Sequence, residues 1–89
     1  MSGGCFGVVA LTYPWTDKMR HEVGNYGSKE LADRVASTVV AIHGKACAKG
    51  IKTLVEERAL GGRVKLELDF EELAHLEGLK FRIGEDPTS

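Results

Sequence analysis

Cysteine is scarce in this chain, whose 89 residues contain only Cys5 and Cys47. Two thiols are too few for the disulfide framework of a small secreted domain. The apolar stretch 5–13 has no basic residues before it and no small-residue cleavage site after it, unlike an export signal. No run approaches the roughly 20 apolar residues that cross a bilayer. We therefore expect a cytoplasmic protein with reduced thiols and no membrane association.

Catalytic and phosphate-binding signatures are also missing from the sequence. There is no Cys-x-x-Cys pair. Gly3, Gly4 and Gly7 lack the spacing of a dinucleotide-binding loop and the Gly-Lys-Ser/Thr ending of a P-loop. Helix capping explains the acidic stretch 69–72, since acids are favoured in the first turn of a helix. We predict no catalytic residue and no cofactor, and keep an active site formed between subunits as the alternative.

The residue types that bind metals do not cluster either. His43 and Cys47 are the one pair that a helix would bring together, whereas zinc sites usually contain close ligand pairs. A small buried thiol and a histidine at the edge of the core explain the same spacing. Lys45 and Lys49 would favour the thiolate of Cys47, but no base-and-acid signature accompanies it. We predict no metal site.

The composition is that of one folded domain. Apolar residues make up 43% of the chain and charged residues 28%, as in ordinary globular proteins. A chain of this size buries somewhat more than ~60% of the surface that its unfolded form exposes, in one core. We predict a single domain over residues 1–89, with residues 85–89 as a flexible tail.

The first half of the chain predicts one strand and two helices. Residues 5–13 are apolar on both faces and close at Pro14, as in a buried central strand. Thr16 is a candidate N-cap for a short helix through Val23. Ser28 caps a longer helix whose apolar residues recur at three- and four-residue spacing. This stripe consists of Leu31, Ala32, Val35, Ala36, Val39, Val40 and His43.

The same helical spacing continues to Leu60. A single helix from Ser28 would then be about 50 Å long at ~1.5 Å per residue, which exceeds the ~30 Å across a small domain. Each glycine costs about 1 kcal/mol in a helix interior. We therefore expect Gly44 and Gly50 to separate it from a third helix, which ends at Gly61-Gly62.

The last third predicts two more strands around a short helix. Residues 63–70 alternate between apolar and charged side chains, with Val64, Leu66, Leu68 and Phe70 inward. Asp69 begins a helix that ends at Gly78, and residues 79–83 alternate again. The order β-α-α-α-β-α-β predicts an α+β domain, a three-stranded sheet with helices largely on one face. A tight hairpin over 64–83 without the helix is the alternative.

The charges are unevenly distributed along the chain. Residues 34–63 contain six bases and two acids, a local sum of +4, whereas residues 64–89 contain three bases and seven acids, a local sum of −4. Such asymmetry bears on partners rather than on fold. Because a three-stranded sheet has exposed edges and small domains often gain stability by association, we expect a homodimer. The sequence does not identify its interface.

The basic turn over residues 42–52 is the candidate binding segment. It combines glycines and lysines, and the predicted helix start would add backbone N–H groups that face a phosphate. Over residues 40–68 the chain resembles a K-homology RNA-binding domain. The matching residues are Gly44-Lys45, Ile51-Lys52, Leu54 and Val64-Lys65-Leu66. That resemblance implies a nucleic-acid backbone held at a glycine loop between two helices, although five residues separate Gly44 from Gly50 where the family has two.

We predict a small noncatalytic binding module that acts through protein–protein contacts, as a homodimer or with another protein. The alternative is a nucleic-acid module that holds RNA or DNA phosphates. An isoelectric point near 6.3 argues against strong nonspecific nucleic-acid binding. Lysines gathered beside an exposed aromatic ring would favour the alternative, and lysines paired with acids would favour protein contacts. The candidate binding residues are Lys45, Lys49, Lys52, Arg58, Arg63 and Trp15.

Overall fold

The computed structural model of the protein describes residues 4–59, 62–79 and 81. Three antiparallel strands form one sheet in the order β2-β1-β3, and two helices pack against it. The elements are β1 (Gly4–Thr12), β2 (Arg20–Tyr26), α1 (Lys29–His43), β3 (Ile51–Ala59) and α2 (Phe70–Gly78), with 3-10 turns at Asp17–Met19 and Gly44–Ala46. The predicted α+β class with a three-stranded sheet is confirmed. The predicted order and number of helices are not.

The central strand is the one predicted from the first apolar stretch. β1 pairs with β2 on one side and with β3 on the other, so its backbone is bonded along both edges. Val8 and Val9 point to opposite faces, and both are fully buried. This burial on both faces explains why the stretch lacks the polar alternation of a half-exposed strand.

The predicted helix over 16–23 is wrong, because this segment returns beside β1 as a strand. The Trp15 N–H donates to the Thr12 carbonyl at 2.7 Å, which closes a turn after β1. The Thr16 side chain makes no capping hydrogen bond, and only Asp17–Met19 is helical, as a 3-10 turn. The pairing register shifts between Val8 and Val9, which leaves a bulge in β2 at Val23.

The predicted Ser28 helix is confirmed as α1. The Ser28 hydroxyl oxygen accepts a hydrogen bond from the Leu31 N–H at 3.1 Å, as in an N-cap. The buried side of the helix follows most of the predicted stripe and packs over β1 and β3. Val40, which was predicted to lie in the stripe, is 39% exposed, and His43 is half-buried. The buried residues of α1 are Leu31, Ala32, Val35, Ala36 and Val39.

The predicted third helix is also wrong, since residues 51–59 form β3. This strand pairs with β1 over its whole length without a register shift. Val55 lies opposite Val8 and packs against the core, and Thr53 lies opposite the buried Ala10. Ile51, Thr53 and Val55 are β-branched residues at alternate positions, which suits an extended chain better than a helix.

The predicted strand over 63–70 is largely irregular. Its one described ladder contact is a parallel bridge in which the Gly27 N–H donates to the Lys65 carbonyl at 2.8 Å. Leu66 and Phe70, predicted to face inward, are 81% and 90% exposed. Among the described residues of 63–70, Lys65 alone pairs with the edge of β2, so the alternation did not produce a strand.

The predicted helix after Asp69 is confirmed as α2, which rules out the tight hairpin over 64–83. The Asp69 carboxylate accepts a hydrogen bond from the Glu72 N–H at 2.9 Å, and this bond lowers the pKa of Asp69. The predicted strand 79–83 and tail 85–89 fall mostly outside the described residues. Leu79 and Phe81, which are described, lie in no strand and pack against the core.

Both helices lie on the same face of the sheet. Leu76 of α2 joins the buried core that α1 forms with Val8 and Ala10. His75 of α2 donates through Nε2 to the Val23 carbonyl at the β2 bulge, at 3.0 Å. α1 therefore covers β1 and β3, and α2 lies beside β2, so neither of the described helices covers the opposite face of the sheet. Within the described ranges, no helix is long and apolar enough to span a membrane.

Candidate functional site

The sheet face turned away from the helices, called here the outer face, has an apolar centre and charged flanks. Cys5, Gly7 and Val9 of β1 are buried in its centre. The side chains beside them on β2 and β3 are mostly charged. These flanking residues are Arg20, Glu22, Asn25, Lys52, Leu54, Glu56 and Arg58.

Four of the charged residues form a salt-bridge network across the outer face. Arg58 contacts Glu22 at 2.9 Å and Glu56 at 2.8 Å, and Arg20 also contacts Glu56 at 2.8 Å. The Asn25 side-chain oxygen accepts a further bond from Arg58 at 2.9 Å. Arg58, predicted to bind a ligand, is therefore occupied by acids of its own chain.

Glycine in the central strand allows this network to form. A side chain at Gly7 would overlap the guanidinium of Arg58, which crosses β1 at this point. The two strands that flank β1 thus exchange charge-assisted bonds directly above it. The hydrogen bonds from Arg20 and then from Arg58 lower the pKa of Glu56 to about 2.

Replacing Glu56 with glutamine is expected to reduce the fall in the free energy of unfolding as the pH is lowered into the acid range. The folded-state pKa of Glu56 is depressed, so its contribution is present above pH 4.5 and is lost as the pH falls toward about 2. Urea unfolding at a series of pH values from 7 to 2.5 measures this limb. Glu57→Gln is the matched control, because Glu57 is an exposed neighbour on β3. If the free energy of unfolding fell equally with decreasing pH in both variants, the salt-bridge network would be contradicted.

A second surface feature joins two aromatic rings and two lysines, called here the aromatic–lysine cluster: Tyr13, Trp15, Lys49 and Lys52. The Tyr13 and Trp15 rings meet edge to face with centroids 6.0 Å apart. The Lys49 ammonium lies 5.2 Å from the centre of the Tyr13 ring, and the Lys52 ammonium lies 4.7 Å from that of Trp15. Two of the predicted lysines thus lie beside aromatic rings, as the nucleic-acid alternative requires.

The cluster is accessible to solvent, and no acidic residue in the described part of the chain neutralises its lysines. Tyr13 is 54% exposed, and Trp15 is outside the hydrophobic core. Among the residues that the structure describes, Lys49 and Lys52 form no ion pair. Trp15 has a φ of 71°, a left-handed conformation that is uncommon for a bulky residue and often found at functional sites.

The predicted phosphate-binding turn is followed by a strand and not by the expected helix. Gly44–Ala46 forms a 3-10 turn, and the Gly50 N–H donates to the Cys47 carbonyl at 3.0 Å. The element that follows is the strand β3, so no helix start directs N–H groups at a phosphate. The helix-loop-helix that the K-homology resemblance implies is therefore wrong. Lys45 is exposed on this turn.

The side chains of His43 and Cys47, the pair that helical spacing would bring together, have separate hydrogen-bond partners. The Cys47 thiol donates to the His43 carbonyl at 3.4 Å, while the His43 ring nitrogen Nε2 donates to the Leu76 carbonyl at 2.8 Å. Burial raises the pKa of Cys47, contrary to the lowering expected from Lys45 and Lys49. In the part of the chain described, no three potential metal ligands lie together.

Arg63 lies away from the aromatic–lysine cluster, at a cleft of about 430 Å³ between the β2 bulge and α2. Beside this cleft, the buried Tyr26 hydroxyl donates to the buried Glu72 carboxylate. Gly24 makes room for this pair, since a Cβ there would lie 2.8 Å from the Tyr26 oxygen. The lining residues are Val23, Gly24, Asn25, Tyr26, Arg63, Lys65, Glu71, Glu72 and His75.

The long edge of β3 is the third surface. β3 spans Ile51–Ala59 and pairs with β1 on one side, and no other described segment pairs with it. It contains neither proline nor a bulge, two of the devices that block edge pairing. Leu54, at its middle on the outer face, is 42% exposed.

No protein-family model matches this chain, and no curated protein or solved structure is significantly similar to it.

Sequence reasoning missed Tyr13 and the edge of β3. Tyr13 was assigned to a buried strand because it continues the apolar stretch, yet it follows the end of β1 and is exposed. The edge was missed because Leu54 and Val55 fit helical spacing. The alternation of Ile51, Thr53 and Val55 with Lys52, Leu54 and Glu56 is the signal that would have found it.

Proposed function

We propose that the protein is a noncatalytic interaction module that works as a homodimer, in which two copies join through the outer edges of their β3 strands. The observation that carries this proposal is the long, regular edge of β3 that no described segment covers. Such an edge presents a row of backbone N–H and C=O groups to a second strand. Pairing would extend each three-stranded sheet into one of six strands.

The charges of the outer face favour protein contact at β3 over the binding of an acidic partner across the whole face. Its arginines are neutralised by Glu22 and Glu56 within the chain, so little free positive charge remains there. Leu54 sits at the middle of the strand and is half-exposed, where a second copy would cover it. Removal of apolar surface from water stabilises association.

Sedimentation velocity of the purified protein tests the proposal. The expected mass is 2 × 9.7 kDa, twice that of one chain. Leu54→Glu replaces exposed apolar surface near the middle of the β3 edge with a charge in each copy, and is expected to shift the protein to the monomer. Leu66→Glu is the matched control, because Leu66 is exposed and lies outside β3. Its mass should equal that of the unaltered dimer.

A monomer at all concentrations would contradict the proposal, as would an unchanged dimer in Leu54→Glu. Circular dichroism of each variant establishes that it is folded. If Leu54→Glu does not fold, Lys52→Glu is the second variant, since Lys52 is an exposed edge residue and its replacement removes no core contact.

A second candidate function is single-stranded nucleic-acid binding at the aromatic–lysine cluster. The observation that favours it is that Lys49 lies over Tyr13 and Lys52 over Trp15, and that neither lysine forms an ion pair with an acid among the described residues. Bases stack on aromatic rings and phosphates pair with lysines in this kind of site. Such binding weakens steeply as the salt concentration rises, because it releases counterions.

Fluorescence anisotropy with labelled single-stranded RNA or DNA at low and moderate salt tests this candidate. Lys49→Glu and Tyr13→Ala are each expected to weaken binding at least tenfold, with no change of oligomeric state. Lys29→Glu, which makes the same charge change on α1, is the control. Binding that is absent at low salt, or equal in all variants, would rule the cluster out as a nucleic-acid site.

A further inference from the structure

Two large apolar side chains on one short segment are almost completely exposed. Leu66 is 81% exposed and Phe70 is 90% exposed, whereas the other exposed large apolar side chains of the described residues lie between 39% and 54%. Leu66 and Phe70 are four residues apart, so their Cα atoms are at most about 14 Å from each other. Single exposed apolar residues are ordinary, but two neighbouring large ones form the kind of patch at which proteins associate.

The backbone holds both side chains in place. The Gly27 N–H donates to the Lys65 carbonyl at 2.8 Å, which fixes the residue just before Leu66 beside the end of β2. Phe70 is the first residue of α2 and directly follows the N-cap Asp69. A surface whose backbone is already ordered loses little conformational entropy when a partner binds.

Leu66 borders a cleft of about 730 Å³ between the start of α1 and the segment before α2. The charged side chains of this cleft are Glu30, Asp33, Arg34 and Glu67. Asp33 pairs with Lys29 at 3.2 Å. Glu30 and Glu67 are exposed, and neither forms an ion pair with any residue that the structure describes. Two acids without an ionic partner in the described chain therefore lie at the cleft that Leu66 borders.

Acids outnumber bases around the two apolar side chains. Glu71, next to Phe70, lies 3.6 Å from the Lys65 ammonium, which also contacts Asp69 at 3.4 Å. The surroundings contain five acids and three bases. The acids are Glu30, Asp33, Glu67, Asp69 and Glu71, and the bases are Lys29, Arg34 and Lys65. This negative surplus repels nucleic-acid phosphates and attracts a positively charged partner.

The end of the chain does not match this surface. Phe81, the last described residue, lies against His43 at the end of α1, with ring centroids 5.0 Å apart. About 18 Å of helix separates His43 from Leu31, which lines the cleft at the start of α1. Residues 84–89 contain two acids and no large apolar side chain, so they fit the surface neither in charge nor in hydrophobicity.

We propose that Leu66 and Phe70 with the acids around them, called here the Leu66–Phe70 patch, bind a basic amphipathic segment of another protein. Apolar side chains of that segment cover Leu66 and Phe70, and its lysines or arginines lie opposite Glu30 and Glu67. An amphipathic helix suits this surface, because it presents apolar residues along one face with charges beside them. Apolar burial supplies affinity, and the charges select the partner. The patch is separate from the β3 edge, since neither apolar residue belongs to that strand.

Fluorescence anisotropy with a labelled amphipathic helical peptide of leucine and lysine tests the inference. Phe70→Ser and Leu66→Ser are each expected to raise the Kd at least about tenfold, as for truncated side chains at the centre of an interface. Val40→Ser is the matched control, because Val40 is an exposed apolar residue near the other end of α1. Glu67→Lys is expected to weaken binding, whereas Glu57→Lys, the same charge change on β3, is expected to leave it unchanged.

A second peptide with glutamate in place of lysine is expected not to bind. NMR chemical-shift changes caused by the lysine peptide are expected to centre on residues 27–34 and 65–71. Absence of binding, equal binding of both peptides, equal affinity of Phe70→Ser and Val40→Ser, or shift changes centred elsewhere would overturn the inference.

Sedimentation of Phe70→Ser separates this inference from self-association. The variant is expected to keep the mass of the unaltered protein. A loss of self-association in Phe70→Ser would show that a second copy covers the Leu66–Phe70 patch, and would overturn the inference. Peptide binding is measured on the unaltered protein whatever its oligomeric state, so the β3 dimer and the basic partner can fail independently.

Discussion

Replacing Leu76 with alanine is expected to lower the free energy of unfolding by about 2–5 kcal/mol, the usual cost of truncating a fully buried leucine. Leu76 has no exposed surface and joins α2 to the core over the sheet. A domain of this size has a total stability of about 4–13 kcal/mol, so the variant lies close to the folding threshold. Urea unfolding followed by circular dichroism measures the loss.

Leu66→Ala is the matched control, because the same atoms are removed from a side chain that is 81% exposed. Its cost is expected to stay below about 0.5 kcal/mol, as for most surface substitutions. The comparison also separates the observed fold from the strand predicted over 63–70, in which Leu66 faces the core. A cost at Leu66 that matches the cost at Leu76 would contradict the observed packing.

Replacing Tyr26 with phenylalanine is expected to lower the free energy of unfolding by about 2–3 kcal/mol. The Tyr26 hydroxyl donates to the Glu72 carboxylate, and both groups are buried. A hydrogen bond to a charged group contributes about 1.5–3 kcal/mol, and its removal leaves a buried charge without its donor. Urea unfolding at pH 7 measures this loss.

Glu72→Gln in the Tyr26→Phe background is expected to recover part of that loss, since a neutral amide is less costly to bury than a charge. The double-mutant cycle of the two substitutions should give a coupling of about 1–3 kcal/mol. Purely additive effects would show that the two groups do not act as a pair.

The same pair predicts the behaviour of the protein in alkali. Burial, and then the bond to Glu72, raise the pKa of Tyr26 above its ordinary value of 10.0. The folded-state pKa is raised, so the contribution of Tyr26 is complete below pH 10 and is lost as the pH rises above it. The slope for one such group is about 1.4 kcal/mol per pH unit. Tyr26→Phe should flatten this limb relative to the unaltered protein.

The elements that the sequence predicted correctly have local causes. The Ser28 hydroxyl and the Asp69 carboxylate each accept a backbone hydrogen bond at the start of a helix. β1 is apolar on both faces because it lies between two strands, with a helix on one side and the salt-bridge network on the other. Each of these signals is contained within a few residues of the chain.

The elements that were predicted wrongly depend on contacts distant in sequence. In β3, Ile51, Leu54, Val55 and Arg58 fit helical spacing, but Arg58 and its neighbour Glu56 pair with Glu22 and Arg20 on another strand. In β2, Gly24 and Asn25 are poor strand formers, yet the bulge there is held by His75 of α2. Long-range pairing of this kind overrides local propensity, and in β3 the alternating signal competes with an equally good helical spacing.

The candidate sites also divide into those with local sequence signals and those that depend on contacts distant in sequence. Lys49, Lys52 and Trp15 were found from their residue types, and they do lie together. Arg58 was assigned a ligand because its acidic partners were not visible along the chain. The edge of β3 required the topology, since an edge exists only once the strand order is known.

Contact between two copies along β3 can be detected by NMR on a mixture of ¹³C,¹⁵N-labelled and unlabelled protein. Isotope-filtered NOEs are detected only between different copies. Pairing along the β3 edges predicts intermolecular NOEs between backbone protons of Ile51–Ala59. Intermolecular NOEs confined to another surface, or a monomer without any, would contradict it.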